Sequence, residues 1–168
     1  MLLTATCSLQ DASSICESLQ IPLRNLTIFR SKNFARPEIN IEVRQKGQKQ
    51  KLLLDIINLI EEVVEGKIII YCATPDSCES IYDELTKKLK SISISMYHGN
   101  IGGSDKNQLI QEWKEGKYKI MISTNAFGLG INTSDIRTII HVTFPLNLGK
   151  YINHLLFANK QINIVIHF

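Results

Sequence analysis

Ile68-Ile69-Ile70-Tyr71-Cys72-Ala73-Thr74-Pro75-Asp76 reads as a strand running directly into a helix. The first five residues are apolar without interruption, as in a strand buried on both faces of a parallel sheet. Pro75 and Asp76 open the helix, and Cys78, Ile81, Tyr82, Leu85 and Leu89 recur along one side of it. Upstream, Leu52, Leu53, Ile56, Ile57, Ile60, Val63 and Val64 return at steps of three and four residues. They predict a helix with one broad apolar face, stopped by Gly66. Before it, Ile39-Asn40-Ile41-Glu42-Val43 alternates apolar and polar residues, the pattern of a half-exposed strand. Downstream, Ile92–Met96 predicts a strand. A helix follows from about Ser104 to Gly116, with Leu109, Ile110 and Trp113 facing inward, and then come strands at Tyr118–Ile122 and Thr138–Val142.

Strands and helices that alternate at this spacing build βαβ units. The predicted fold is therefore α/β, a parallel sheet with helices on both faces. In such sheets ligands meet the loops beyond the carboxyl ends of the strands. Here those loops are Ala73–Asp76, Tyr97–Ser104, Ser123–Asp135 and Thr143–Lys150.

Composition narrows the class. Of 168 residues, 44% are hydrophobic and 21% charged, which excludes a disordered or collagen-like chain. The net charge is only +3, but Arg30, Lys32, Arg36, Arg44, Lys46, Lys49 and Lys51 face only Glu38 and Glu42 in the segment 30–51. A polyanion could use that excess, and so could a merely solvated surface. Cys7, Cys16, Cys72 and Cys78 form no C-x-x-C pair and no zinc spacing, so reduced intracellular thiols are expected. The start of the chain lacks the charged and apolar regions of a secretory signal, and Ile68–Ala73 is far too short to span a bilayer.

Candidate chemistries follow from the loops. Cys72 ends a buried strand just before a helix, where thiol enzymes place a nucleophile. However, the position six residues on is Cys78 rather than the arginine of a phosphate loop, so nothing lowers its pKa. Gly99, Gly102 and Gly103 precede Ser104 at a helix start, which suits a phosphate or a plain turn, but the G-x-x-x-x-G-K-[ST] loop is absent. His98, His141, His154 and His167 lack metal-ligand spacing, and there is no G-x-S-x-G. The densest group is Ser123-Thr124-Asn125-Ala126-Phe127-Gly128-Leu129-Gly130-Ile131-Asn132, directly after a buried strand. Short hydrogen-bonding side chains and permissive glycines suit a phosphodiester backbone better than a base edge, and they also suit a structural loop.

In order along the chain, Leu3-Thr4-Ala5-Thr6, Phe34-Ala35-Arg36-Pro37-Glu38-Ile39, Ile68–Cys72, Tyr97-His98-Gly99, Thr124–Asn132 and Ile139-Ile140-His141 with Pro145 resemble one family. It is the second RecA-like domain of superfamily 2 helicases, most closely the RecQ type, and the resemblance covers about residues 2 to 151. It implies an ATP-dependent 3′-to-5′ DNA helicase that uses Mg-ATP, acts on single-stranded or forked DNA and works in the nucleus, with the cytoplasm as the alternative; no membrane partner is expected from the sequence. It implies that Thr4, Ala5 and Thr6 couple the nucleotide site to DNA. Thr74, His98, Gly99, Thr124 and Asn125 would touch the nucleic-acid backbone, and Gly130 and Asn132 would approach ATP. It also divides the chain into the end of a first RecA-like domain at 1–20, an incomplete second domain at 21–155 and an atypical tail at 156–168.

The sequence departs from the family in three ways. The phosphate loop and the magnesium-binding acidic box have no counterpart here. The expected Q-x-x-G-R-x-G-R segment is replaced by Ile152–Lys160, and no arginine follows Arg137, so the charge-stabilising finger is missing. Thr74-Pro75 stands where serine-arginine is usual. The expectation is a fragment that is inactive alone. Other readings are a non-catalytic nucleic-acid- or partner-binding module, and a doubly wound thiol enzyme using Cys72. The tail, Gln161–Phe168, reads as an apolar appendage without a partner, more like read-through than domain, with Ile162–Ile166 as an exposed, sticky strand.

Overall fold

The computed structural model describes residues 8–29, 37–127, 135–143 and 162–167. They fall in two compact units, Met1–Pro37 and Glu38–Phe168. Among the described residues the first holds one helix, α1 (Leu9–Ser18), followed by a 3-10 turn at Leu23–Asn25. Ser8 and Asp11 cap α1 reciprocally: the Asp11 amide donates to Ser8 Oγ at 3.0 Å and the Ser8 amide to Asp11 Oδ2 at 2.9 Å.

From β1 to β4 the second unit alternates as its sequence predicts: β1 (Ile39–Arg44), α2 (Lys49–Glu62), β2 (Lys67–Tyr71), α3 (Pro75–Lys88), β3 (Ile94–Tyr97), α4 (Gly103–Lys114) and β4 (Ile120–Ser123); β5 (Ile136–His141) and β6 (Ile162–His167) follow. All six strands are parallel, in the order β1-β6-β5-β2-β4-β3. Alternate residues of β2 serve two cores. Ile68, Ile70 and Cys72 pack with Leu52, Ile56 and Ile60 of α2 and with Cys78, Ile81 and Leu85 of α3. Ile69 and Tyr71 pack on the other face with Trp113 of α4. The uninterrupted apolar run is thus what a strand between two helical layers requires. The third strand starts two residues later than its apolar run, because the Ile92 amide donates to Leu89 O and still belongs to the turn leaving α3.

The tail is the main correction. Ile162–His167 is an interior strand, in register with β1 from Ile39↔Ile162 to Arg44↔His167 and with β5 from Thr138↔Asn163 to His141↔Ile166. Ile162, Ile164 and Ile166 enter one core and Val165 the other, so the run is neither unpartnered nor exposed. The physical reason is pairing at a distance. Without β6, the facing edges of β1 and β5 would both carry unpaired backbone groups.

At the amino end of the sheet, β2 and β5 are tied together. The Lys67 amide donates to Asp135 O at 2.8 Å, and Lys67 Nζ lies 3.0 Å from Asp135 Oδ2 and 5.2 Å from the centre of the Trp113 ring. Gly66 permits this closeness. Its φ is +85°, and a Cβ there would stand 2.5 Å from Arg137 Cγ and 2.6 Å from Asp135 O.

Candidate nucleic-acid interface

Because β2, β4 and β3 are parallel neighbours, their carboxyl ends lie on one rim. The turns that start at Cys72, Thr124 and His98 are therefore adjacent, at roughly 5 Å per strand spacing. That brings together Thr74, His98, Gly99, Thr124 and Asn125. Thr4, Ala5, Thr6, Gly130 and Asn132 lie outside the described residues.

Each of the five has a definite local role. Thr74 is the exposed N-cap of α3, and its Oγ1 accepts from the Ser77 amide at 3.2 Å. The threonine that replaces serine at this position keeps the cap, and Pro75 follows at the first helical turn, where a missing N–H costs nothing. His98 is buried, with Nε2 3.8 Å from Glu79 Oε1 and, among the described residues, no hydrogen-bond partner for Nδ1. Gly99 is exposed, and a Cβ built on it would meet nothing within 4 Å. Openness rather than crowding characterises that turn. The Thr124 amide donates to Tyr97 O at 3.3 Å, which joins the ends of β4 and β3. Thr124 and Asn125 are partly exposed, while Phe127 is only 1% exposed and closes the turn inward.

Four carbonyl oxygens on this rim are used internally. Thr124 O accepts from Ser123 Oγ at 2.7 Å and from the Phe127 amide at 3.2 Å. Phe127 O accepts from the buried Tyr71 hydroxyl at 3.1 Å, Gly99 O from Lys106 Nζ at 2.8 Å, and His98 O from the Ile101 amide at 3.3 Å. By contrast, the amides of Gly99, Asn100 and Asn125 have no partner among the described residues. Open amides of this kind suit an anion.

Several of these groups escape sequence reasoning. Glu79 beside His98 and Lys106 beneath Gly99 carry no signal of their own, since each is one charged residue on a helix surface. Tyr71 carries one: it is the single polar-tipped side chain in the Ile68–Cys72 run. The Tyr71 ring stacks on His141 at 5.3 Å, and Phe127 is held between Tyr97, at 5.0 Å, and Trp113, at 5.8 Å edge-on. Burial pushes the Tyr71 hydroxyl up, so it stays a neutral donor to Phe127 O.

Cys72 is a core residue. It is 3% exposed, its amide donates to Ser123 O at 2.8 Å, and the adjoining Cys78 thiol together with burial pushes its own thiol well above the ordinary range. A thiol held neutral is no nucleophile. Among the described residues, no three His, Cys, Asp or Glu side chains come together to hold a metal ion. The described residues of the rim offer hydroxyls and amides but neither a carboxylate pair nor an arginine, so they do not by themselves fit Mg-ATP.

Known proteins share the sequence pattern and the fold of this chain. The family model of the helicase conserved C-terminal domain matches residues 48–155. A protein of Acanthamoeba polyphaga mimivirus named ATP-dependent RNA helicase R290 is 34% identical over 151 residues, 90% of this chain and 26% of its own length. The ATP-dependent DNA helicase Q-like 2 of Arabidopsis thaliana is 30% identical over 152 residues, 89% of this chain and 21% of its own. The ATP-dependent DNA helicase RecQ of Bacillus subtilis is 27% identical over 151 residues, 90% of this chain and 24% of its own. The chain therefore spans about a quarter of the length of these relatives or less. Among solved structures, the C-terminal domain of the DEAD-box protein Dbp5 has a TM-score of 0.66 at 18% identity, covering 78% of this chain and 77% of that one, a likeness of fold. With the family model matched over more than half of its length and Q-type relatives aligned along most of it, the chain is a helicase C-terminal domain of the RecQ type.

Proposed function

We propose that this chain is the strand-gripping lobe of an ATP-dependent 3′-to-5′ DNA helicase, acting on single-stranded or forked DNA in the nucleus, and that it does not hydrolyse ATP alone. Residues 1–20 belong on this reading to the end of the preceding lobe. Thr74, His98, Gly99, Thr124 and Asn125 follow the phosphodiester backbone, while Gly130 and Asn132 approach the nucleotide and Thr4, Ala5 and Thr6 couple the two sites. The observation that carries the reading is the presence of open amides at Gly99, Asn100 and Asn125 on the same rim of the sheet. Donors without a base-shaped pocket hold phosphates and ignore sequence. The absence of a lysine loop and of any arginine after Arg137 supports inactivity alone, because phosphoryl transfer is positioning plus electrostatics.

Fluorescence anisotropy with a labelled oligothymidylate, repeated across salt concentrations, tests the grip. Log affinity is expected to fall linearly with log salt. A flat dependence overturns it. The same titration with the matching RNA reports the preference between the two nucleic acids. Sustained ATP turnover by the purified chain with single-stranded DNA would refute the claim of inactivity.

A further inference from the structure

Two side chains outside the predicted set bear on the rim without facing a ligand. Lys106, in the first turn of α4, turns back seven residues and places Nζ 2.8 Å from Gly99 O. Tyr71, at the end of β2, reaches across to β4's turn and places its hydroxyl 3.1 Å from Phe127 O. Both target the carbonyl of a turn that carries open amides, Gly99 and Asn100 in one case and Asn125 in the other. A peptide plane has its N–H and C=O on opposite sides. Fixing the carbonyl oxygen of Gly99 therefore fixes the direction of the Asn100 amide in the same plane. Fixing Phe127 O pins the far end of the turn 124–127, whose near end is already held by the Thr124 amide on Tyr97 O.

We propose that Lys106 and Tyr71 are positioning residues of the nucleic-acid rim, each holding back a turn carbonyl so that the neighbouring amides stay open to a phosphodiester. This rests on the strand-gripping reading and extends it to two residues that touch no nucleic acid. Lys106 is the sharper case, because a lysine beside a polyanion site would ordinarily be taken for a direct phosphate contact. The geometry assigns its ammonium to Gly99 O instead.

The two roles differ in their salt dependence. A direct phosphate contact contributes about 0.7 to the slope of log affinity against log salt on a single strand, whereas a positioning residue contributes none. Lys106→Met removes the donor and keeps the stem in a residue that suits a helix, and Lys106→Arg restores a donor. In anisotropy titrations with oligothymidylate, Lys106→Met is expected to lose about five- to tenfold in affinity, the scale of one weakened hydrogen bond. Its salt slope should be unchanged, and Lys106→Arg should recover most of the loss. A slope reduced by about 0.7, or an affinity equal to that of the original chain, overturns the proposal.

Tyr71→Phe deletes one hydroxyl inside the core, so its stability is measured alongside. Trp113→Phe, which perturbs the same aromatic cluster without touching a rim carbonyl, serves as the matched control. Weaker binding by Tyr71→Phe than by Trp113→Phe, at a temperature where both are folded, supports the assignment, and equal binding overturns it. If the original chain shows no salt-dependent DNA binding, the strand-gripping reading falls. The positioning claim is then decided by titrating inorganic phosphate while following the amide resonances of Gly99, Asn100 and Asn125. Saturable shifts that vanish at Gly99 and Asn100 in Lys106→Met support it, and identical behaviour of the two proteins overturns it.

Discussion

β1 and β6 begin with the same three residues. One reads Ile39-Asn40-Ile41-Glu42-Val43-Arg44, the other Ile162-Asn163-Ile164-Val165-Ile166-His167, and they lie side by side, parallel and in register. Their fates differ. Ile41 and Val43 are 49% and 55% exposed, while their partners Ile164 and Ile166 are 0% and 3% exposed. β1 has one neighbour and forms the edge of the sheet, whereas β6 has two, β1 and β5. The two strands also differ where their sequences part. Glu42 and Arg44 on β1 bond each other in two places, at 2.7 and 3.1 Å, and leave their heads in water. Val165 and His167 occupy the matching positions on β6 and are buried. A shared apolar pattern thus sets which faces a strand can bury. The number of strands beside it sets how much is buried.

The largest test of this contrast is removal of the inner strand. Deleting Gln161–Phe168 withdraws Ile162, Ile164, Val165 and Ile166 from the core, which at about 1.5–3 kcal/mol per side chain approaches the whole stability of a small domain. The expected result is loss of the cooperative urea transition followed by circular dichroism, with aggregation through the bared edges of β1 and β5. A shortened chain that still unfolds cooperatively would mean that β6 is an accessory.

Substitution at one register pair sharpens the comparison. Ile164→Ala is expected to cost about 2–5 kcal/mol, and Ile41→Ala, directly opposite it at the edge, under about 1 kcal/mol, both read from denaturation midpoints at constant m. Equal costs would show that β1 is covered in solution to the same degree as β6.

A smaller effect is expected at the strand ends. Burial, and then the charges of Arg44 and Lys46, lower the His167 pKa from 6.5, partly opposed by Asp55 and Glu42. Among the described residues neither ring nitrogen of His167 has a hydrogen-bond partner. An unfolded chain takes up the proton from pH 6.5 downward, whereas the folded chain resists until its lower pKa. Stability should therefore decline as pH falls below 6.5 and flatten once the folded pKa is passed. In His167→Gln that part of the slope should vanish, as followed by urea midpoints between pH 7 and pH 5. A slope that persists unchanged would assign the acid sensitivity elsewhere.

The smallest effect belongs to the edge. The Glu42 carboxyl is held below its usual range chiefly by its hydrogen bonds from Arg44, but both side chains are largely hydrated. Glu42→Gln is expected to change stability by less than about 1 kcal/mol, and by less still in high salt. A larger loss would show the pair working against a surface rather than against water.

Much of the fold is legible in the sequence. The apolar run at 68–72, the helical periods on either side of it and the glycines between them lead to a parallel α/β sheet, and that fold class places the turns at Thr74, His98 and Thr124 on one rim. Tyr71 and Lys106 are not legible as rim residues. Their importance lies in which carbonyl each one meets, Phe127 O and Gly99 O, and residue type carries no record of that. The tail misleads for a related reason. Ile162–Ile166 has the composition of a strand, but its partner Asn40 is 123 residues away from Asn163, beyond the reach of any local pattern.

Sequence alone determined the period of each element, the side of each strand able to enter a core, and the chemical types that reach the rim, because these follow from dihedral preferences and side-chain chemistry within a few residues. Only the tertiary structure decided that Ile162-Asn163-Ile164 would lie inside the sheet while Ile39-Asn40-Ile41 bordered it. Backbone hydrogen bonds between strands are nearly the same for every residue, and neighbours are chosen by how all six strands and their helices together leave the fewest groups unpaired.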